Sequence, residues 1–104
     1  MTGVQLKFYV HEHTQRDDIL LYEWLIEKAK EVGVQGGSVF RAIEGFGRDG
    51  IVYEERFFEL ASNVPVEVVF ISDEVKGEQL LELLKQEGLK LFYVKIPVEY
   101  GFLN

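Results

Sequence analysis

Two stretches of this 104-residue chain carry residue types that could do chemistry. The first is Gly36-Gly37-Ser38, followed by Glu44-Gly45-Phe46-Gly47-Arg48-Asp49-Gly50, where an apolar strand pattern runs out into a glycine-rich loop. Glycine is the default residue where backbone must take positive φ or come close to another group. The loop therefore reads either as a tight connection or as a backbone cradle for an anion such as a phosphate. The second stretch is His11-Glu12-His13. Alternate residues on an extended segment put both imidazoles on one side, and imidazole suits Zn, Ni or Cu. A carboxylate from Glu12 or Asp17 would make a partial metal site; a solvated loop that holds both histidines is the plainer reading. No catalytic constellation stands out. Ser38 and Ser62 have no His–Asp partners in the pattern, and the acids are spread along helix faces, so no enzyme is expected.

Composition narrows the classes. Eighteen acids against 11 bases give a formal net charge of -7, with no Lys/Arg cluster. A nucleic-acid binder needs a basic face to displace counterions from phosphates, so that class is excluded. There is no cysteine, hence neither a disulfide framework nor thiolate chemistry. No apolar run is long enough to span a bilayer and no leader pattern opens the chain, which leads to the expectation of a soluble, cytoplasmic protein. At 47% hydrophobic, with eight Phe, five Tyr and one Trp, residues 1–104 can form a single domain with a real core.

The elements that must position the two stretches follow from periodicity. Val4, Leu6, Phe8 and Val10 alternate with polar neighbours and predict a half-buried strand. After the polar 11–17 segment, Asp18 is a candidate N-cap for an amphipathic helix from about Ile19 to Val32, with Leu21, Leu25 and Ala29 inward and Gly33 as its stop. Trp24 falls off that stripe, which suggests a core edge or a subunit contact. A second strand is predicted over Ser38–Gly45, with Val39, Arg41 and Ile43 on one face and Phe40 and Ala42 on the other. Residues 51–62 then read as the arm of a long hairpin. Val66 to Ile71 is a strand apolar on both faces. Ser72 or Asp73 caps a helix reaching Glu87, whose stripe is Val75, Leu80, Leu83 and Leu84. Leu91 to Tyr100 reads as a last strand, with Phe92, Val94, Ile96 and Val98 on one face and Leu91 and Tyr93 on the other. Pro97 favours an edge position there. The order β-α-β-β-α-β is that of α+β, ferredoxin-like folds, a four-stranded antiparallel sheet with two helices on one face. The second sheet face is then expected to show Phe40 and Ala42, Val69 and Ile71, and Leu91 and Tyr93. Such an apolar face needs a partner, and a symmetric homo-oligomer is the usual solution.

The motifs themselves resemble a known family. Val32-Gly33-Val34-x-Gly36-x-Ser38-Val39, then Glu44-Gly45-Phe46-Gly47-Arg48, is similar to the second-strand region of PII signalling proteins, where the strand leads into the long T-loop. Asn63-Val64-Pro65-Val66-Glu67-Val68-Val69 resembles the family's third strand, and Ser72-Asp73-Glu74-Val75 the start of its second helix. The chain also resembles the PII-like family labelled domain of unknown function 190, over roughly residues 4–98. The resemblance implies a homotrimer that binds an adenine nucleotide in clefts between subunits. It implies signalling through the loop 47–60 to a partner, either a membrane transporter or a regulated enzyme. Carried over by position, Gly45, Phe46, Gly47 and Arg48 would form the loop base around the ligand. Ser38 would stand near the adenine in place of a Thr. The chain departs from the PII pattern where phosphates are met. Asp49 replaces a Gln, Pro97 and Glu99 stand approximately at the C-terminal Arg pair, and only Lys85 and Lys90 remain in the short connection before the last strand; separately, Asn63 stands where the family has the Lys that helps hold 2-oxoglutarate. AMP, ADP or a cyclic nucleotide, or a different small molecule altogether, is therefore expected rather than MgATP. The reading weighed against it is a metal-responsive trimer using His11 and His13.

Overall fold

The computed structural model describes residues 1–47, 52–54 and 63–104, the three in the middle by their backbone path. In chain order the elements are β1 (Thr2–His11), β2 (Gln15–Arg16), β3 (Ile19–Leu20), α1 (Leu21–Val32), β4 (Gly36–Arg41), β5 (Glu44–Phe46), β6 (Val52–Glu54), β7 (Pro65–Ser72), α2 (Glu74–Gln86) and β8 (Phe92–Glu99). Four of the strands form one antiparallel sheet in the order β4-β7-β1-β8, with β1 and β7 central. That is the ferredoxin-like arrangement: two β-α-β halves interleave so that both helices lie on one face.

The core lies between that face and the helices. Val4, Leu6, Phe8 and Val10 of β1 and Val66, Val68 and Phe70 of β7 are buried against Leu21, Trp24, Leu25 and Ala29 of α1 and Leu80 and Leu84 of α2. The period-two pattern of β1 and β7 therefore sets which sheet face meets the helices. Close approach is secured at Gly77, in the middle of α2. A Cβ there would stand 2.6 Å from Val4 Cγ2, so only glycine lets this helix sit so near β1.

Several sequence expectations are corrected. α1 starts at Leu21 with Leu20 at the N-cap and no side-chain cap, not at Ile19 behind Asp18. Asp17 and Asp18 instead take positive φ, 52° and 66°, between the paired residues Arg16 and Ile19. Positive φ at both central residues of a two-residue loop is the type I′ hairpin turn, which Asp tolerates. Asp73 does cap α2, its carboxylate accepting the Lys76 N–H at 2.8 Å. Gly33 ends α1 at φ 92°, taking the left-handed geometry expected of a helix stop. Val75 is not on the α2 stripe but exposed, and Gly77 takes the inward place. Trp24 is core rather than edge, with Arg16 and Lys28 stacked over its ring at 4.8 and 5.4 Å. The second strand is not continuous: β4 stops at Arg41, and β5 resumes after Ala42 and Ile43. Of the long hairpin, β5 pairs with β6 (Glu44 with Glu54, Phe46 with Val52), and residues 55–62 lie outside the described residues.

Candidate functional site

Register fixes what each face of the sheet presents, because residues paired across strands share a face. On the face away from the helices the rows are Phe40–Glu67–Tyr9–Phe92, then Ser38–Val69–Lys7–Val94, then Gly36–Ile71–Gln5–Ile96. Gly3 and Val98 close the series. This open face is apolar at most positions, with Phe40 58% and Phe92 65% exposed and the Tyr9 and Phe92 rings 5.8 Å apart. The expectation for the last strand is corrected here. Tyr93 pairs with the core residue Phe8 and so lies on the helix side, whereas Phe92, Val94, Ile96 and Val98 line the open face.

Ser38 sits on the exposed edge strand β4, directly opposite Val69. With Gln5, Lys7, Phe40 and Glu67 it lines a shallow hollow of about 490 Å³ on the open face. The Lys7 ammonium and the Glu67 carboxylate meet across this hollow at 3.4 Å.

One end of the same face carries the root of the glycine-rich loop. The Ala42 N–H donates to the Pro65 carbonyl at 2.9 Å, which ties the end of β4 to the start of β7. A Cβ on Gly45 would stand 3.1 Å from Pro65 Cγ, so β5 leaves the sheet pressed against that ring. Phe46 is 75% exposed. A Cβ on Gly47 would meet none of the described atoms within 4 Å. Arg48, the fifth of the expected ligand residues, lies outside the described residues, as does most of the loop 47–60.

His11-Glu12-His13 belongs to this same end, a juxtaposition that no local pattern in the sequence announces. His11 is paired with Pro65, and its Nδ1 is 3.4 Å from the Asn63 carbonyl oxygen. The Glu12 N–H donates to the Val64 carbonyl, and the His13 N–H to Asn63 Oδ1, both at 2.9 Å. Glu12 reaches Arg41 Nε at 2.6 Å with one carboxylate oxygen and stands 3.6 Å from His13 Nε2 with the other. Residues 11–13 thus touch chain on both sides of the loop: Arg41 before it, and Asn63 and Val64 after it. The metal reading gains nothing from this. Among the described residues no group of three or more His, Cys, Asp or Glu gathers as a metal site.

Within one chain, the two lysines of the connection before the last strand lie at or beside a different hollow from that of Ser38. Lys85 lies on the helix side, in a groove of about 380 Å³ between α2 and β8 floored by Phe8, Leu84, Leu89 and Leu91 and edged by Lys95 and Glu78. The sheet separates it from Ser38, so one chain does not bring the two together. Lys90 is exposed, between the groove residues Leu89 and Leu91. Lys95 is hydrogen-bonded to Glu78, and that bond holds its ammonium above the ordinary lysine range. Among the described residues no helix is long and apolar enough to cross a membrane.

Comparison with known proteins agrees with this geometry. Residues 3–92 match the family model DUF190, described as Uncharacterized ACR. The UPF0166 protein of Aquifex aeolicus is 36% identical over 80 residues, covering 77% of this chain and 76% of that protein. The UPF0166 protein of Methanocaldococcus jannaschii is 32% identical over 88 residues, 81% of each. Among solved structures, CPII from Thiomonas intermedia K12, a nitrogen regulatory PII-like protein bound to ADP, AMP and bicarbonate, superposes with a TM-score of 0.64. It is 18% identical, and the match covers 94% of this chain and 89% of that one. A PII-like signalling protein of Thermus thermophilus gives a TM-score of 0.62 at 14% identity, covering 93% and 89%. At such identities the likeness is one of fold, and the fold is PII-like.

Proposed function

The chain belongs to the DUF190 family, and from that premise we propose that it is a PII-like regulatory protein. It is a homotrimer that takes an adenine nucleotide, AMP, ADP or a cyclic nucleotide, in clefts between subunits. Ligand binding favours one state of the loop 47–60, and that state decides whether a partner protein, a transporter or a regulated enzyme, is engaged. The observation that carries this reading is the loop root. Gly45 is pressed on Pro65, none of the described atoms lies within 4 Å of a Cβ placed on Gly47, and the edge strand that feeds them displays Ser38 on an apolar face. Glycines at such a root allow backbone N–H groups to approach a ligand closely. The ADP- and AMP-bound state of the Thiomonas intermedia protein supports the choice of nucleotide.

The test is calorimetric titration with AMP, ADP, ATP and cyclic AMP, on wild type and on Gly47→Ala. AMP, ADP or cyclic AMP is expected to bind more tightly than MgATP, because few cations remain to meet a triphosphate. Gly47→Ala is expected to weaken binding about tenfold or more while leaving the fold intact, since the new methyl meets none of the described atoms. Failure of every nucleotide to bind at millimolar concentration removes nucleotide sensing.

A further inference from the structure

The described strand rows of the open sheet face carry one ion pair among uncharged side chains. Among the described residues, the strand rows of that face hold Lys7 and Glu67 as their only charged side chains. They meet at 3.4 Å, each about three-tenths exposed. Around them stand Val69, Ile71, Val94, Ile96, Phe40 and Tyr9.

Charge indicates what covers this face. The chain carries a formal net charge of -7, so two copies meeting at most orientations repel each other. Lys7 and Glu67 cancel, which leaves the described rows of the open face neutral as well as largely apolar. A second copy of this chain meets no net charge from these rows when it settles on them. A partner chosen for opposite charge would be drawn to the acidic surfaces instead.

Covering the face takes both charges out of water. A desolvated pair adds little to stability compared with apolar side chains of similar size, whereas a single charge left without its partner is strongly unfavourable. We propose that the Lys7–Glu67 pair is a conditional element of self-assembly: the sheet faces associate only while the two charges neutralise each other within one chain. This rests on the homotrimer of the proposed function, taken to pack through its apolar sheet faces, and names the residues that determine it. A pair of this kind restricts the permitted registers, because any packing that separates Lys7 from Glu67 strands a charge in an apolar seam.

The experiment is sedimentation velocity over a concentration series on wild type, Lys7→Met, Glu67→Met and the double variant. Circular dichroism on each verifies the fold, which both sites, lying on the open face, should leave unchanged. Each single substitution is expected to raise the concentration of half-association on the order of a hundredfold. The double variant is expected to return to within about threefold of wild type, because no unpaired charge remains. Two results overturn the proposal while leaving the oligomer in place: single variants that assemble like wild type, and a double variant as weak as the singles. A monomeric wild type removes the sheet-faced oligomer itself and the proposal with it.

Discussion

At the scale of single residues, the strongest constraints are steric and can be tested by adding one methyl group. Gly77→Ala gains helix propensity of about 1 kcal/mol but drives its Cβ to 2.6 Å from Val4 Cγ2. Val4 is buried and its branched side chain cannot swing away, so overpacking of roughly 1–3 kcal/mol wins. A net loss of about 1 kcal/mol is expected from urea unfolding. Gly36→Ala is the control: none of the described atoms lies within 4 Å of its added Cβ, and its effect should stay near 0.5 kcal/mol or below. Asp73→Ala removes the acceptor of the Lys76 N–H and should cost about 1 kcal/mol in the same assay. Lys95 supplies a test of opposite kind. Its folded-state pKa is raised, first by the hydrogen bond to Glu78. The stabilisation linked to it is therefore fully present below the ordinary lysine range and lost as pH rises through the elevated value. NMR titration of the Lys95 side chain should show the elevation, and Glu78→Gln should lower it; an unchanged midpoint in that variant would assign the shift to another neighbour.

At the scale of elements, what local pattern encodes was legible and what depends on long-range pairing was not. The alternation of Val4 to Val10, the Leu21–Leu25–Ala29 stripe, the Gly33 stop and the Asp73 cap are each written within a few residues, and each element stands where its pattern puts it. The start of α1 differs because Asp has two uses: it caps helices, and it also accepts the left-handed φ of a type I′ turn. At Asp17–Asp18 pairing of β2 with β3 selects the second use. That hairpin is then fixed by Arg16, which donates to the Glu87 carboxylate at 2.8 Å and to its carbonyl at 3.1 Å, at the C-terminal end of α2. The faces of β8 are the reverse of the expected ones because Phe92 and Tyr93 are both large aromatic residues that suit either face of a strand; the register of Tyr93 opposite Phe8 distinguishes them. In the candidate site, the positions of Ser38, Gly45 and Gly47 were legible from motif, while the contact of Glu12 with Arg41 was not. Those residues lie 29 apart in sequence and meet only because β1 and β4 flank β7. Glu12→Gln should loosen that clasp. Hydrogen exchange at the Ala42 and Glu12 amides, which donate to the Pro65 and Val64 carbonyls, is the readout, and faster exchange confined to those positions is expected, with the core strands unchanged.

At the scale of the whole molecule, the fold separates its chemistry into two sides. The helix side holds the core and the Lys85 groove; the open side holds Ser38, the loop root at its end, and a broad apolar surface. A monomer gains nothing from Phe40, Phe92, Val94 and Ile96 in water, and the proposed trimer is the assembly that would cover them. Phe40→Glu separates folding from assembly. In one chain Phe40 is 58% exposed, so the substitution, like-charge contact with Glu67 included, should cost the subunit about 1 kcal/mol or less. In the assembly it places a carboxylate beside Glu67, its cross-strand neighbour, inside an apolar seam, where like charges are destabilising. Sedimentation should show trimers for wild type and monomers for Phe40→Glu at the same concentration. Nucleotide binding should fall with it, since a cleft between subunits exists only when subunits meet. Dissociation with undiminished binding would place the ligand site within one chain, and an intact trimer would place the seam away from the sheet.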